Sequence, residues 1–164
     1  MPTTAAIIAL TQAQKRVARH LVHGATTDTI ADREHLSRGT VKNHLSHVRE
    51  SLNCPVLSTR AVLVNALLTH RQVPPPRAPR PEIELTSAEQ RLLHAYAEHS
   101  RAPDIALAAA LAPGDLRAGT DALMAKTGAT DPTHLVGIGH ALGLLGPAIH
   151  ETSAQGGAPE EVGR

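Results

Sequence analysis

The residues of this chain whose types and spacing could do chemistry lie in the sixteen-residue stretch SRGTVKNHLSHVRESL, residues 37 to 52. A lysine ammonium at Lys42, a carboxamide at Asn43 and short polar groups at Thr40, Ser46 and His47 are gathered there, with Arg38 just before them. None of these types sits in a spacing that activates a nucleophile or pairs two carboxylates. Their chemistry is recognition. Lysine reaches the acceptors of guanine in the DNA major groove, and a carboxamide matches the donor and acceptor of the adenine edge.

Such groups read bases only if something rigid carries them on one side. Ser37 can cap a helix by accepting from the free amides of the first turn, so a helix is expected to begin near Arg38. Within it Val41, Leu45, Val48 and Leu52 recur at steps of four, three and four, which keeps them on one buried side. Gly39, Asn43, Ser46 and Glu50 then fall on the opposite side, flanked by Lys42 on one shoulder and Thr40 and His47 on the other. His44 lies about 60° from the centre of the apolar stripe and is expected to pack or touch the backbone. Upstream, TTDTIADRE reads as a short helix capped by Thr26, with Ile30 and Ala31 facing inward. A wet amphipathic helix would explain the polar side alone. A short helix, a tight turn and a longer helix with a basic outer face are instead the parts of a helix-turn-helix.

The span from Leu10 to about His70, with LTQAQKRVARHLVHGATTDTIA followed by LSRGTVKNHLSHVRESLN, resembles the four-helix DNA-binding domain of LuxR/GerE-type transcription regulators. Thr40-Val41-Lys42-Asn43-His44-Leu45 is its most specific piece, close to the family's TVKxHL signature. The resemblance implies base or phosphate contacts from Lys42, Asn43 and Ser46, with Thr40 and His47 nearby. Lys42 and Asn43 would read bases, and Thr26, Arg38, Thr40 and Ser46 would set register on phosphates. Glu34 and His35 stand where the family usually has Leu-Gly. Histidine takes the left-handed conformation at modest cost, so the turn can still close.

Across its 164 residues the chain has one aromatic, Tyr96, so any core must be built from Leu, Val, Ile and Ala. That suits small helical domains, and the expected fold class is all-α: two tandem four-helix helix-turn-helix bundles joined by a Pro-rich linker. No apolar run approaches the roughly 20 residues of a membrane span, and no basic region precedes the short apolar stretch of the N-terminus. A cytoplasmic protein is expected. The lone Cys54 excludes an internal disulfide. Eleven histidines include His20 with His23 and His44 with His47, each pair three apart, but such pairs arise by chance in a His-rich chain. Neither a metal nor a cofactor is expected. Protonation of His44 and His47 should instead strengthen phosphate attraction as pH falls.

Residues 1 to 71 hold nine Lys or Arg against four Asp or Glu, while residues 82 to 164 hold five against eleven. Only the first part suits a polyanion. It opens with a helix from Thr11 to His23, signalled by the T-x-x-Q capping box of Thr11 and Gln14 and ended by Gly24. Lys15, Arg16 and Arg19 lie on its polar side. Asn53-Cys54-Pro55 stops the reading helix. Ser58 is then expected to cap a fourth helix, TRAVLVNALLTH, whose Leu63, Ala66 and Leu67 either complete the bundle or pair two subunits, as the equivalent helix does in the resembling family. Residues 71 to 82 carry five prolines and read as a semi-rigid linker, with Arg77 and Arg80 solvated.

Beyond the linker the pattern restarts. Leu85-Thr86-Ser87-Ala88-Glu89 repeats Leu10-Thr11-Gln12-Ala13-Gln14 at an offset of 75, and Ile105-Ala106, Leu111, Gly114, Leu116 and Leu123 follow in register. An internal duplication is expected over residues 83 to 146. It loses the reading head, having Arg117, Ala118, Gly119, Asp121 and Ala122 in place of Lys42, Asn43, His44, Ser46 and His47. Thr120 and Thr127 replace the inward Leu45 and Leu52, so looser packing is expected. A last helix from about Thr133 to Leu145 carries three glycines, and the tail from 147 to 164 lacks periodicity and reads as disordered.

The function expected is a sequence-specific regulator of transcription that binds double-stranded DNA, without a sensor domain of its own, as a homodimer on an inverted repeat. Residues 83 to 146 are expected to serve either as the dimerisation unit or as a docking site for RNA polymerase or another regulator. Two alternatives remain: an adaptor that binds proteins through the acidic half, and a promoter-recognition module resembling sigma region 4. No nucleophile with a paired base, phosphate-binding glycine loop or paired-carboxylate motif argues for an enzyme.

Overall fold

The computed structural model of the chain describes residues 6–145. Among these the backbone forms eight α-helices and no strand: α1 (Gln12–Leu21), α2 (Thr27–Glu34), α3 (Arg38–Ser51), α4 (Arg60–Thr69), α5 (Ser87–Glu98), α6 (Ala102–Ala108), α7 (Leu116–Thr127) and α8 (Pro132–Ala141), with one 3₁₀ turn at Pro113–Asp115 before α7.

The helix starts follow from side chains that satisfy free amides. Thr11 accepts from the Gln14 amide at 3.1 Å while the Gln14 side chain accepts from the Thr11 amide at 3.0 Å, and Thr86 and Glu89 make the same box at 3.2 and 2.8 Å. Ser37 accepts from the Thr40 amide at 3.0 Å, so α3 begins where expected. The fourth helix differs by one residue. Thr59, not Ser58, accepts from the Val62 amide at 3.2 Å and caps α4, which leaves the Ser58 hydroxyl buried without a partner.

The turns recur too. His35 has φ 56° and closes the turn between α2 and α3, with Leu36 donating to the Ala31 carbonyl at 2.9 Å. Seventy-five residues later Ala110 takes the same left-handed conformation at φ 59°, and Asn53 (φ 57°) and Gly128 (φ 82°) form a second such pair. Histidine thus serves where the resembling family has glycine.

Val41, Leu45 and Val48 of α3 and Leu52 at its carboxyl-terminal cap are all buried, against Val17, Leu21 and Ile30 among others. Helix α4 is apolar nearly all round, which marks an element enclosed on every side. Its partners come from both parts of the chain: α1 on one side, α5 and above all α8 on the other. In α8 the five consecutive residues Leu135 to Gly139 are buried, which a surface helix cannot achieve. Close approach explains its glycines. A Cβ at Gly137 would lie 2.7 Å from the Val22 carbonyl oxygen, and one at Gly139 would lie 2.9 Å from Leu93. The helix ends at Ala141, short of the expected Leu145, and the chain turns at Gly143 with φ 74°.

Ala97 and Val136 belong to the same apolar cluster as Leu63 and Leu67, so the core of residues 10–73 extends into residues beyond 85. The Pro-rich segment is anchored at a few points, with Pro74, Pro75, Arg77, Pro79 and Pro81 exposed between them. Val73 and Pro76 are buried, Pro76 lies against Gly137, and Arg80 donates to the carbonyls of Ala125 and Lys126 at 3.4 and 3.2 Å, closing the end of α7. Thr120 and Thr127 are buried with their hydroxyls donating to the Leu116 and Leu123 carbonyls at 2.7 and 2.9 Å. The expected tail, residues 147–164, lies outside the described residues.

Candidate nucleic-acid interface

Helices α1 and α2 hold α3 by its apolar stripe and leave its other side open. Arg38, Gly39, Lys42, Asn43, Ser46, His47 and Glu50 are all exposed on α3, on the side away from Val41, Leu45 and Val48. The buried stripe fixes the rotation of the helix. Each fully buried Val or Leu contributes about 1.5–3 kcal/mol, so turning α3 to hide Lys42 would lose several such terms.

The expected site residues divide into two groups. Lys42, Asn43, Ser46 and His47 stand free on the outer face with Arg38 at its start. Thr26 and Thr40 are engaged in capping. The Thr26 hydroxyl accepts from the Thr29 amide at 3.1 Å and lies 3.0 Å from the Thr29 hydroxyl, while Thr40 is half-buried with its hydroxyl 2.8 Å from that of Ser37. Arg38 is tied through Nε to Asp28 Oδ1 at 2.6 Å, joining the first turns of α2 and α3. Both side chains are more than half exposed, and such pairs are worth about 0–1 kcal/mol, so a phosphate can take the place of Asp28 at little cost.

Three side chains that matter escaped the reading from sequence. Glu34, at the position of an apolar family residue, accepts from His20 Nε2 at 2.6 Å and from Arg16 Nε at 3.2 Å. The hydrogen bond from His20 and the charges of His20 and Arg16 hold its carboxyl below the ordinary value, and the group pins the end of α2 to α1 just before the turn. Arg60 reaches from the first turn of α4 to the Ala25 carbonyl at 3.3 Å and to the Thr27 hydroxyl, fixing the start of α2. Arg49 donates through Nε to the Ser58 carbonyl at 3.3 Å, and burial together with the neighbouring Arg60 lowers its pKa. A cation in the first turn of a helix opposes the helix dipole, which was a sign in the sequence that Arg60 had another partner. His20 and His23 point to different groups, Glu34 and the Arg19 carbonyl. Among the described residues no cluster of three or more His, Cys, Asp or Glu is placed to hold a metal ion. Cys54 is half-buried, and burial raises its thiol pKa, so it is a thiol and not a reactive thiolate.

A buried-stripe helix presenting lysine and asparagine outward, braced by a shorter helix across a left-handed turn, defines a helix-turn-helix. Residues 9–64 match the luxR family of bacterial regulatory proteins, so a GerE/LuxR-family helix-turn-helix domain is found over that span. A domain of this kind points to a DNA-binding regulator of transcription. No curated protein and no solved structure matches the chain. No helix among the described residues is long and apolar enough to cross a membrane.

Proposed function

We propose that the chain is a sequence-specific regulator of transcription that binds double-stranded DNA by laying α3 in the major groove, in the cytoplasm. Lys42 and Asn43 read bases; Arg38, Ser46 and His47 engage phosphates or neighbouring base edges, and Thr26 and Thr40 set the geometry through the caps they form. The observation that carries this reading is the open basic and carboxamide-bearing side of α3, locked outward by its fully buried Val41 and Val48. The common 75-residue spacing of the starts of α1 and α5, of α2 and α6, and of two pairs of left-handed turns supports an internal duplication, and the acidic excess of residues 82 to 164 supports a role for that part in contacts with protein.

Of the two routes to a homodimer that the sequence leaves open, the fourth helix and residues 83 to 146, the first would use Leu63, Ala66 and Leu67. Leu63 and Leu67 are wholly buried and α8 lies against α4. We infer that α8 takes the place a second subunit would hold, so that one chain offers one reading helix to one half-site. The test is titration of labelled duplex from a selected pool, with the mass of the complex measured alongside. Lys42→Ala is expected to weaken binding by about 1–3 kcal/mol, whereas Arg117→Ala, at the corresponding exposed position of α7, leaves it unchanged. Equal losses from the two would refute the assignment of α3 as the reading helix, and two chains per half-site would refute the single-chain arrangement.

A further inference from the structure

A cleft of about 290 Å³ opens where the first turns of α4, α7 and α8 meet the end of α5 and the start of α6. Its walls are apolar at Ala61, Ile105 and Leu116, with polar groups at Arg60, Tyr96 and Thr133. Volume and lining fall at the small end of the range for small-molecule sites, which favour the seam between packed units. The electrostatics are one-sided. Arg60 is the only charged residue lining the cleft. Neither Arg60 nor its neighbour Arg49 forms an ion pair with a carboxylate among the described residues. Helices α4 and α8 contribute their first turns to it, α8 with the Asp131 carboxylate as its cap. Two of the five N–H donors of Arg60 are used, by the Ala25 carbonyl and the Thr27 hydroxyl, which leaves donors for an oxyanion.

We propose that this cleft binds a small organic anion, a carboxylate or phosphate on an apolar body, and that its occupancy reaches the DNA-reading helix through Arg60. The anion takes the free donors of the guanidinium while its body covers Ala61, Ile105 and Leu116. Arg60 holds the start of α2, and Asp28 of α2 holds Arg38 of α3, so a shift of the guanidinium is passed along two contacts to the outer face of α3. The ligand arm stands alone; the regulatory arm rests on the DNA-binding reading above.

The experiment uses the full chain, isotopically labelled, with octanoate, phenylacetate and hexyl phosphate as probes and octanamide as the uncharged match. Without DNA, at least one anion is expected to shift the amide resonances of Arg60, Ser100, Ile105 and Thr133 saturably, with octanamide at least about tenfold weaker than octanoate if octanoate is the binder. Ala102→Leu adds bulk at an exposed position lining the cleft and should abolish the shifts while the chain stays folded. Arg60→Gln should remove the preference for charge. In the second arm a saturating anion changes the affinity of the wild type for its selected duplex by at least about threefold and leaves that of Ala102→Leu unchanged. Shifts elsewhere, none from any probe, or equal binding of octanamide would overturn the site. Cleft binding with unaltered DNA affinity would overturn the regulatory link. Absence of any DNA binding would sink the function proposed above and leave the first arm readable.

Discussion

Residues 12–69 and 87–141 solve the same geometric problem with different side chains. The inward position held by Leu21 in α1 is Tyr96 in α5, and that held by Leu45 in α3 is Thr120 in α7. A larger residue faces a smaller one, and the Tyr96 hydroxyl lies 2.7 Å from Thr120 Oγ1, whose own proton goes to Leu116. The looser packing expected from the two threonines is thus offset by the only aromatic ring and by hydroxyls that each find a carbonyl. Outward positions show no such exchange. Lys42, Asn43, Ser46 and His47 face Arg117, Ala118, Asp121 and Ala122 in the comparison, all exposed, with Arg117 and Asp121 paired at 4.0 Å. Buried positions must match in volume and hydrogen bonding, whereas exposed positions have no packing partner to match.

The sharpest break in the comparison concerns whether the two parts are independent. Leu63 is fully buried in α4, in a cluster that includes Ala97 and Val136. Leu63→Ala is expected to cost about 2–5 kcal/mol. Because α4 is enclosed by α1, α5 and α8, the loss should appear as one cooperative transition involving both parts in calorimetry. Two transitions, with only the earlier one moved, would show that the parts fold separately and that α8 merely rests on α4.

A smaller effect probes the same seam by pH. His140 donates from Nε2 to Asn65 Oδ1 at 2.8 Å, joining α8 to α4, and burial lowers its pKa from 6.5 to about 4. A folded-state value below the unfolded one means that the unfolded chain takes up the proton first. Stability is therefore full above pH 6.5 and declines as pH falls toward 4. The bound of about 3 kcal/mol is trimmed to roughly 2 by partial exposure of the ring. His134, lowered chiefly by burial, acts in the same direction, while Glu34 and Glu89, held below 4.5 chiefly by bonds from His20 and Lys126, weaken the fold only at lower pH. His140→Gln retains a donor and should remove most of the decline between pH 6.5 and 4.5 in denaturant titrations. An unaltered slope would place the linkage elsewhere.

The comparison also separates what the sequence made legible from what it hid. Helix starts were readable because Thr11, Thr26, Ser37 and Thr86 cap by local chemistry, and the outward face of α3 because its apolar residues recur at helical spacing. The fourth cap went to Thr59 because Ser58 and Thr59 are equally good caps and only packing distinguishes them. The seam between α4 and α8 was hidden, since Leu63 and Leu67 have the same apolar character whether they meet a second subunit or the same chain. Arg60, Glu34 and Arg80 act on partners 33, 18 or 46 residues away, which no periodicity reports. Tyr96→Phe tests the best-hidden of these arrangements. Losing its bond to Thr120 should cost about 1 kcal/mol, and Thr120→Val combined with Tyr96→Phe should cost less than the sum of the two.

The mildest substitution tests the turn at which the two parts agree most closely. Ala110 has φ 59° at the position matching His35, and its amide donates to the Leu107 carbonyl at 3.1 Å. A Cβ in the left-handed region costs about 1–2 kcal/mol that glycine avoids, while glycine returns part of that through the greater freedom of its unfolded chain. Ala110→Gly should therefore raise stability by about 0.5–1 kcal/mol. His35→Gly should gain less, since histidine tolerates this conformation better than alanine. If the left-handed turn is the shared device that sets α2 against α3 and α6 against α7, both substitutions stabilise and neither alters the affinity of α3 for DNA beyond that gain. A loss of stability at Ala110 would mean that its backbone leaves the left-handed region in solution, and that the agreement between the two turns is not real.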